Sequence, residues 1–123
     1  MGLKTEDIVI LVVKAYIFGK QHGYPYIEII LRQFMDLDKL KDRTCPFCGK
    51  RFRTAQGLFK HLHHAFTKSA CSEQLNLIAK KVAEIYNEWM SGYYHRPSKE
   101  KNVFELEWFL KQKGVLKDRA QSQ

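Results

Sequence analysis

The chain has few of the features that mark secreted, membrane-spanning or disordered proteins. Its three cysteines, Cys45, Cys48 and Cys71, do not make a disulfide framework, and the expected setting is reducing and intracellular. The longest apolar run near the start, Ile8–Val13, stops at Lys14, and even Ile8–Phe18 is shorter than the roughly 20 residues of a membrane helix. No basic leader with a small-residue cleavage site precedes it. The opening Met1-Gly2 has Glu6 where a myristoylation signal needs Ser or Thr. There are only three prolines, and we find no internal repeat or low-complexity stretch. The expectation is a soluble intracellular protein of the cytoplasm, nucleoid or nucleus. A hydrophobic share of 45% and an aromatic share of 13% point to one folded domain or a compact pair.

Acidic residues are scarce where basic ones gather. Residues 1–40 carry five charges of each sign, whereas residues 41–71 carry seven basic side chains against Asp42 alone, a net +6 of the chain's total +8. Such a concentration is the electrostatic footprint of phosphate binding. Residues 43–72 contain no Asp or Glu at all, which argues against metal-assisted hydrolysis around His61, His63 and His64, since that chemistry wants carboxylates or a general base beside an open metal site. We expect no enzyme activity.

Outside the basic segment, the patterning is helical. Thr5 reads as an N-cap followed by the apolar stretch Ile8–Lys20, with a stop at Gly23. Pro25 then opens a second helix expected to run to about Lys41, with Ile27, Ile30, Leu31, Phe34, Leu37 and Leu40 at helical spacing. Ser72 reads as the cap of a helix through about Met90, and a last helix is expected over Val103–Lys113, ending at Gly114. Between them, Tyr93, Tyr94, His95 and Arg96 fall in a predicted loop. Three regions follow: an N-terminal helical hairpin over 1–42, a central unit over 43–71, and C-terminal helices over 72–123 that pack with the hairpin.

The central unit carries the chemistry. Cys45-Pro46-Phe47-Cys48 is followed by Phe52, Leu58 and His61, a C-x2-C-x3-F-x5-L-x2-H pattern. Two thiolates on a knuckle and an imidazole on a following helix supply three zinc ligands, and Phe52 and Leu58 supply the small apolar core beneath them. The favoured fourth ligand is Cys71, at the expected start of the next helix; the alternative is His64. On a helix continuing past His61, His64 lies on the flank opposite Leu58, and His63 faces solvent or a phosphate. Phe59, Leu62 and Phe66 extend the apolar arc and are expected to pack on flanking helices or to form a homodimer contact.

These residues resemble the C2H2 zinc-finger family, or a C2HC variant of it, over residues 43–66. The resemblance implies a fold that is mainly α with one small ββα zinc finger inserted between helical segments, and zinc as cofactor. The base-reading positions of the family fall on Thr54, Gln56, Gly57 and Lys60, of which only Gln56 and Lys60 reach far. Arg43, Lys50, Arg51, Arg53 and Lys60 would grip phosphates. The implied function is a double-stranded DNA-binding protein and transcriptional regulator, with RNA as another partner class; in size and composition it is similar to the small single-finger proteins of archaeal viruses. A second expectation is a zinc-stapled module for protein–protein interaction.

Overall fold

A computed structural model describes residues 4–65, 67–91 and 102–116. Six helices follow in order: α1 (Thr5–Phe18), α2 (Pro25–Leu31), α3 (Leu37–Lys41), α4 (Ala55–Leu62), α5 (Ala70–Ser91) and α6 (Val103–Gln112). Phe66, Tyr93, Tyr94, His95 and Arg96 lie outside the described residues. Among those described, no helix is long and apolar enough to cross a membrane.

Helix α1 is apolar on nearly every side, and such a helix is stable in water only if it is covered on several faces. It touches α2, α3, α4 and α5. Val9 and Val12 are fully buried, with Val13 and Ile17 almost so. The long helix α5 is the second organiser, packed on α1, α2 and α4. Tyr26 of α2 meets Trp89 of α5 edge-on at 5.3 Å, and Lys113, just past α6, pairs with Glu88 of α5 at 2.7 Å. Helix α6 sinks Leu106 and Leu110 completely into the core.

The mainly α reading holds, but the ββα finger is absent. Where two strands were expected there is one isolated bridge, Thr44 with Arg51, which is the only strand-type pairing among the described residues. Cys45 N–H donates to Lys50 O and Phe52 N–H to Arg43 O, so the hairpin is a knuckle with a short neck. Its chain cannot continue as a strand before Thr44, because Arg43 sits at φ 55°, in the left-handed region. Two further expectations are corrected. The helix expected from Pro25 to Lys41 breaks after Leu31, and Asp36 caps α3 by accepting from Asp38 N–H at 3.1 Å. Across the break, Met35, Leu37 and Leu40 still enter the same core as Ile27 and Ile30. At the start of α5 the cap is Ser69 rather than Ser72: the Ser72 N–H donates to Ser69 Oγ and the Ser69 N–H to Ser72 Oγ, a reciprocal box.

Helix α4 belongs to the same core. Leu58 and Leu62 are buried with α1 and α5 residues, and Phe59 meets Phe18 of α1 edge-on at 5.9 Å. The apolar arc of α4 therefore has partners within the chain. Leu62→Ala should cost about 2–5 kcal/mol, the range for emptying a buried leucine site. Urea unfolding of the metal-saturated protein measures it, and a loss well under 1 kcal/mol would mean that α4 is not part of the cooperative core.

Candidate metal centre

The knuckle forms because its sequence leaves the backbone few other choices. Cys45 is fully buried, and its sulfur accepts from the N–H groups of Phe47 at 3.4 Å and Cys48 at 3.5 Å. Gly49, at φ 80°, makes the left-handed turn that lets its N–H reach Cys45 O at 2.9 Å. Cys48 stands exposed on the outer side of this turn. Phe52 then packs its ring 4.9 Å from that of His61, and Lys50 lies over the other aromatic surface 5.2 Å from the Phe52 centroid.

Helix α4 delivers His61. Thr54 caps it by accepting from Gly57 N–H at 3.0 Å. Gly57 leaves room beside this cap: a Cβ there would lie 3.2 Å from Thr54 Oγ1, a tight contact, and 3.6 Å from the Phe52 ring, an ordinary one. Helix α5 delivers Cys71, its second residue. The two helix ends are tied together by Ser69 Oγ–H donating to His61 O at 3.2 Å, and by Ser72 Oγ–H donating to Thr67 O at 2.9 Å. Buried Ser72 is thus fully used in fixing the turn that places Cys71.

The outcome is a group of four. The ligand atoms of Cys45, Cys48, His61 and Cys71 all lie within 4.8 Å of one another, and Cys48 Sγ is 3.7 Å from His61 Nε2. A tetrahedron with metal–sulfur bonds of about 2.3 Å and metal–nitrogen bonds of about 2.0 Å has edges of roughly 3.5–3.8 Å. The group needs only small side-chain adjustments to reach that geometry, so it can hold a metal ion. His64 is elsewhere: its Nε2 pairs with Glu73 Oε2 at 3.2 Å. Helix α4 ends at Leu62 and His63 is extended, so the wheel that carried His64 beside His61 stops short of it.

The protonation states fit a cation site. Burial, then the nearby Lys50 charge, lowers the His61 pKa and keeps the imidazole neutral, as a ligand must be. The Lys50 backbone N–H lowers that of Cys48. Cys71 goes the other way: burial first, then Cys45 and Cys48, pushes its thiol up to about 12. A place at a helix N-terminus, worth about 0.3–1 kcal/mol to an anion, is outweighed. Three thiols this close cannot all ionise without a counter-charge, and a divalent cation supplies it.

The basic residues are put to different uses. Arg43 Nε donates to Phe52 O at 3.0 Å, locking the neck of the knuckle, and Arg51 pairs with Asp42 at 3.2 Å. Arg53, Gln56, Lys60 and Lys68 are exposed. His63 packs against Phe59 with ring centroids 4.9 Å apart, and its Nδ1 accepts from Ala65 N–H. Sequence reasoning missed a polar network between α1 and α2, formed by Tyr16, His22, Glu28 and Arg32, for which the one signal was the i,i+4 spacing of Glu28 and Arg32.

Cobalt titration should give thiolate-to-metal charge-transfer absorption, with release of the Cys71 proton detectable by a pH indicator. Cys71→Ser should weaken binding at least about 10-fold while His64→Ala leaves it unchanged. The reverse pattern would remove Cys71 from the ligand set. No family model, curated protein or solved structure matches this chain, so the reading of the centre rests on its own geometry and chemistry.

Proposed function

We propose that the chain is a zinc-stapled helical protein that binds double-stranded DNA through the basic segment around its metal centre, and that it acts as a regulator of transcription. The observation that carries the zinc assignment is the donor set. Three sulfurs and one imidazole nitrogen, with no carboxylate in the group, suit a closed tetrahedral zinc site, whose role is structural. Zinc with three thiolates and a neutral imidazole leaves a charge of −1 on the centre, so the +6 of residues 41–71 is far more than compensation.

Phosphate contact is supported by where the cations stand. Lys60 and Gln56, one helical turn apart on α4, are exposed on the side away from buried Leu58 and Leu62, and Arg53 precedes the Thr54 cap. Lys68 follows on the return to α5. Arg43 and Arg51 contribute less, because one holds Phe52 O and the other faces Asp42. The ligands keep the likeness to zinc-finger proteins, whereas the fold around them is different. With so short a helix and so few long polar side chains on it, base readout is limited and binding is mostly electrostatic.

Fluorescence anisotropy with duplex DNA at several salt concentrations tests this reading. The zinc-loaded chain should bind with a log-linear salt dependence. Changing Arg53, Lys60 and Lys68 together to Gln should weaken binding and flatten the slope by about 3, at roughly 0.9 per phosphate contact. Absence of binding at low salt would reduce the centre to a structural staple.

A further inference from the structure

A cleft of about 790 Å³ lies away from the metal centre, between the end of α1 and the start of α2. Its volume falls in the range that accommodates small ligands. The walls are held by a closed network. Glu28 accepts from Tyr16 Oη–H at 2.6 Å and from Arg32 Nε–H at 3.3 Å, and His22 Nε2 lies 2.8 Å from its other oxygen. His22 Nδ1 accepts from Tyr24 N–H at 2.9 Å, which puts the ring proton on Nε2, donating to Glu28. Tyr24 stacks on His22 with ring planes within 8° of parallel, and His22, only 11% exposed, also stacks on Tyr16 at 6.1 Å, so the aromatic surface open to a flat ligand is that of half-buried Tyr24. The walls are therefore fixed before anything binds.

The chemistry of the cleft selects an anion with a flat ring. Glu28 is no cation site, because both of its oxygens already accept hydrogen bonds and Arg32 neutralises it. The remaining charges on the lining are Lys20 and Lys41, both exposed. Between Gly19 and Gly23, both at positive φ, the loop turns so that the N–H groups of Gln21, His22 and Gly23 have no acceptor among the described residues. Two ammonium groups, a loop whose three N–H groups have no acceptor among the described residues, and an aromatic wall line one cleft, a combination that suits a phosphate joined to an aromatic ring.

We propose that this cleft binds a nucleotide unit, with the base against the Tyr24 ring and the phosphate held by Lys20, Lys41 and the 21–23 backbone. The unit is either a free mononucleotide or one residue of a single strand. The site is independent of the metal centre, so it stands or falls separately from duplex binding by Arg53, Lys60 and Lys68.

The test is calorimetric titration of the zinc-loaded chain with adenosine monophosphate, adenosine, inorganic phosphate and a short oligodeoxythymidine strand. Saturable binding of adenosine monophosphate, tighter than either of its halves, is expected for a free-nucleotide site; saturation by the strand alone assigns the source to nucleic acid. Lys20→Gln combined with Lys41→Gln should weaken whichever ligand binds about 10-fold, and Tyr24→Ala should do the same. The Arg53/Lys60/Lys68 variant should bind adenosine monophosphate as the parent does. Lys20→Gln alone touches no network residue and guards against loss of fold. No saturable binding of nucleotide or strand, or unchanged affinity in the lysine double variant, overturns the proposal.

Discussion

Three sulfur atoms brought within a few ångströms of one another in a partly buried place are the constraint on which the rest of the arrangement depends. Neutral thiols would gain little from such proximity, and ionised ones would repel. The chain has nevertheless invested much of its local structure in bringing them together: the left-handed turn at Gly49, the capped helix α4, the Ser69–Ser72 box, and complete burial of Cys45. These devices suit a cation, which would turn the repulsion into four bonds. The knuckle makes the point most directly. One bridge and a few backbone hydrogen bonds are too little to order so short a hairpin alone, because an isolated two-stranded unit is at best marginal in water.

The basic residues of 41–71 fall into two groups. Arg43 belongs to the structural one: at φ 55° it occupies a conformation that costs a non-glycine residue about 1–2 kcal/mol, and its guanidinium returns a hydrogen bond to Phe52 O across the neck. Lys50 lies over Phe52 and close enough to His61 to help keep the imidazole neutral. Arg53, Lys60 and Lys68 have no comparable internal task in the described structure, and their exposure leaves them as the cations best suited to an outside partner. Net charge alone could not separate these groups; burial and hydrogen bonding do.

Much of this was legible in the sequence, and what was not has physical causes. Spacing singled out Cys45, Cys48 and His61, because a knuckle and a helix turn have fixed dimensions. Cys71 was reached from its place before a helix pattern, and the structure brings it to the other three. Helical periodicity located α1, α5 and α6 to within a few residues. The ββα form was expected from a resemblance carried by ligands and two apolar residues, none of which specifies strand pairing; one bridge satisfies the same spacing. The break between α2 and α3 was hidden because Asp36-Leu37-Asp38 is compatible with a helix surface until the cap at Asp36 competes with it. Of the Tyr16–Glu28–Arg32 network only the i,i+4 spacing of Glu28 and Arg32 could be read, since the rest depends on how α1 crosses α2.

The position of the ligands determines how far loss of the ion would spread. Cys71 starts α5, the helix packed on α1, α2 and α4, and His61 ends α4 beside Leu62 in the main core. A metal centre on a tethered, self-contained finger could empty without disturbing its neighbours. Here bonds to a metal ion would join the knuckle, α4 and α5 across a core that they share with α1. An apparent zinc-binding free energy of about 10–16 kcal/mol is as large as the whole net stability of a typical domain, about 5–15 kcal/mol. Such an ion, once bound, would be a partner in the cooperative unit, so metal occupancy and the folding of α4 against α1 and α5 should form a single equilibrium.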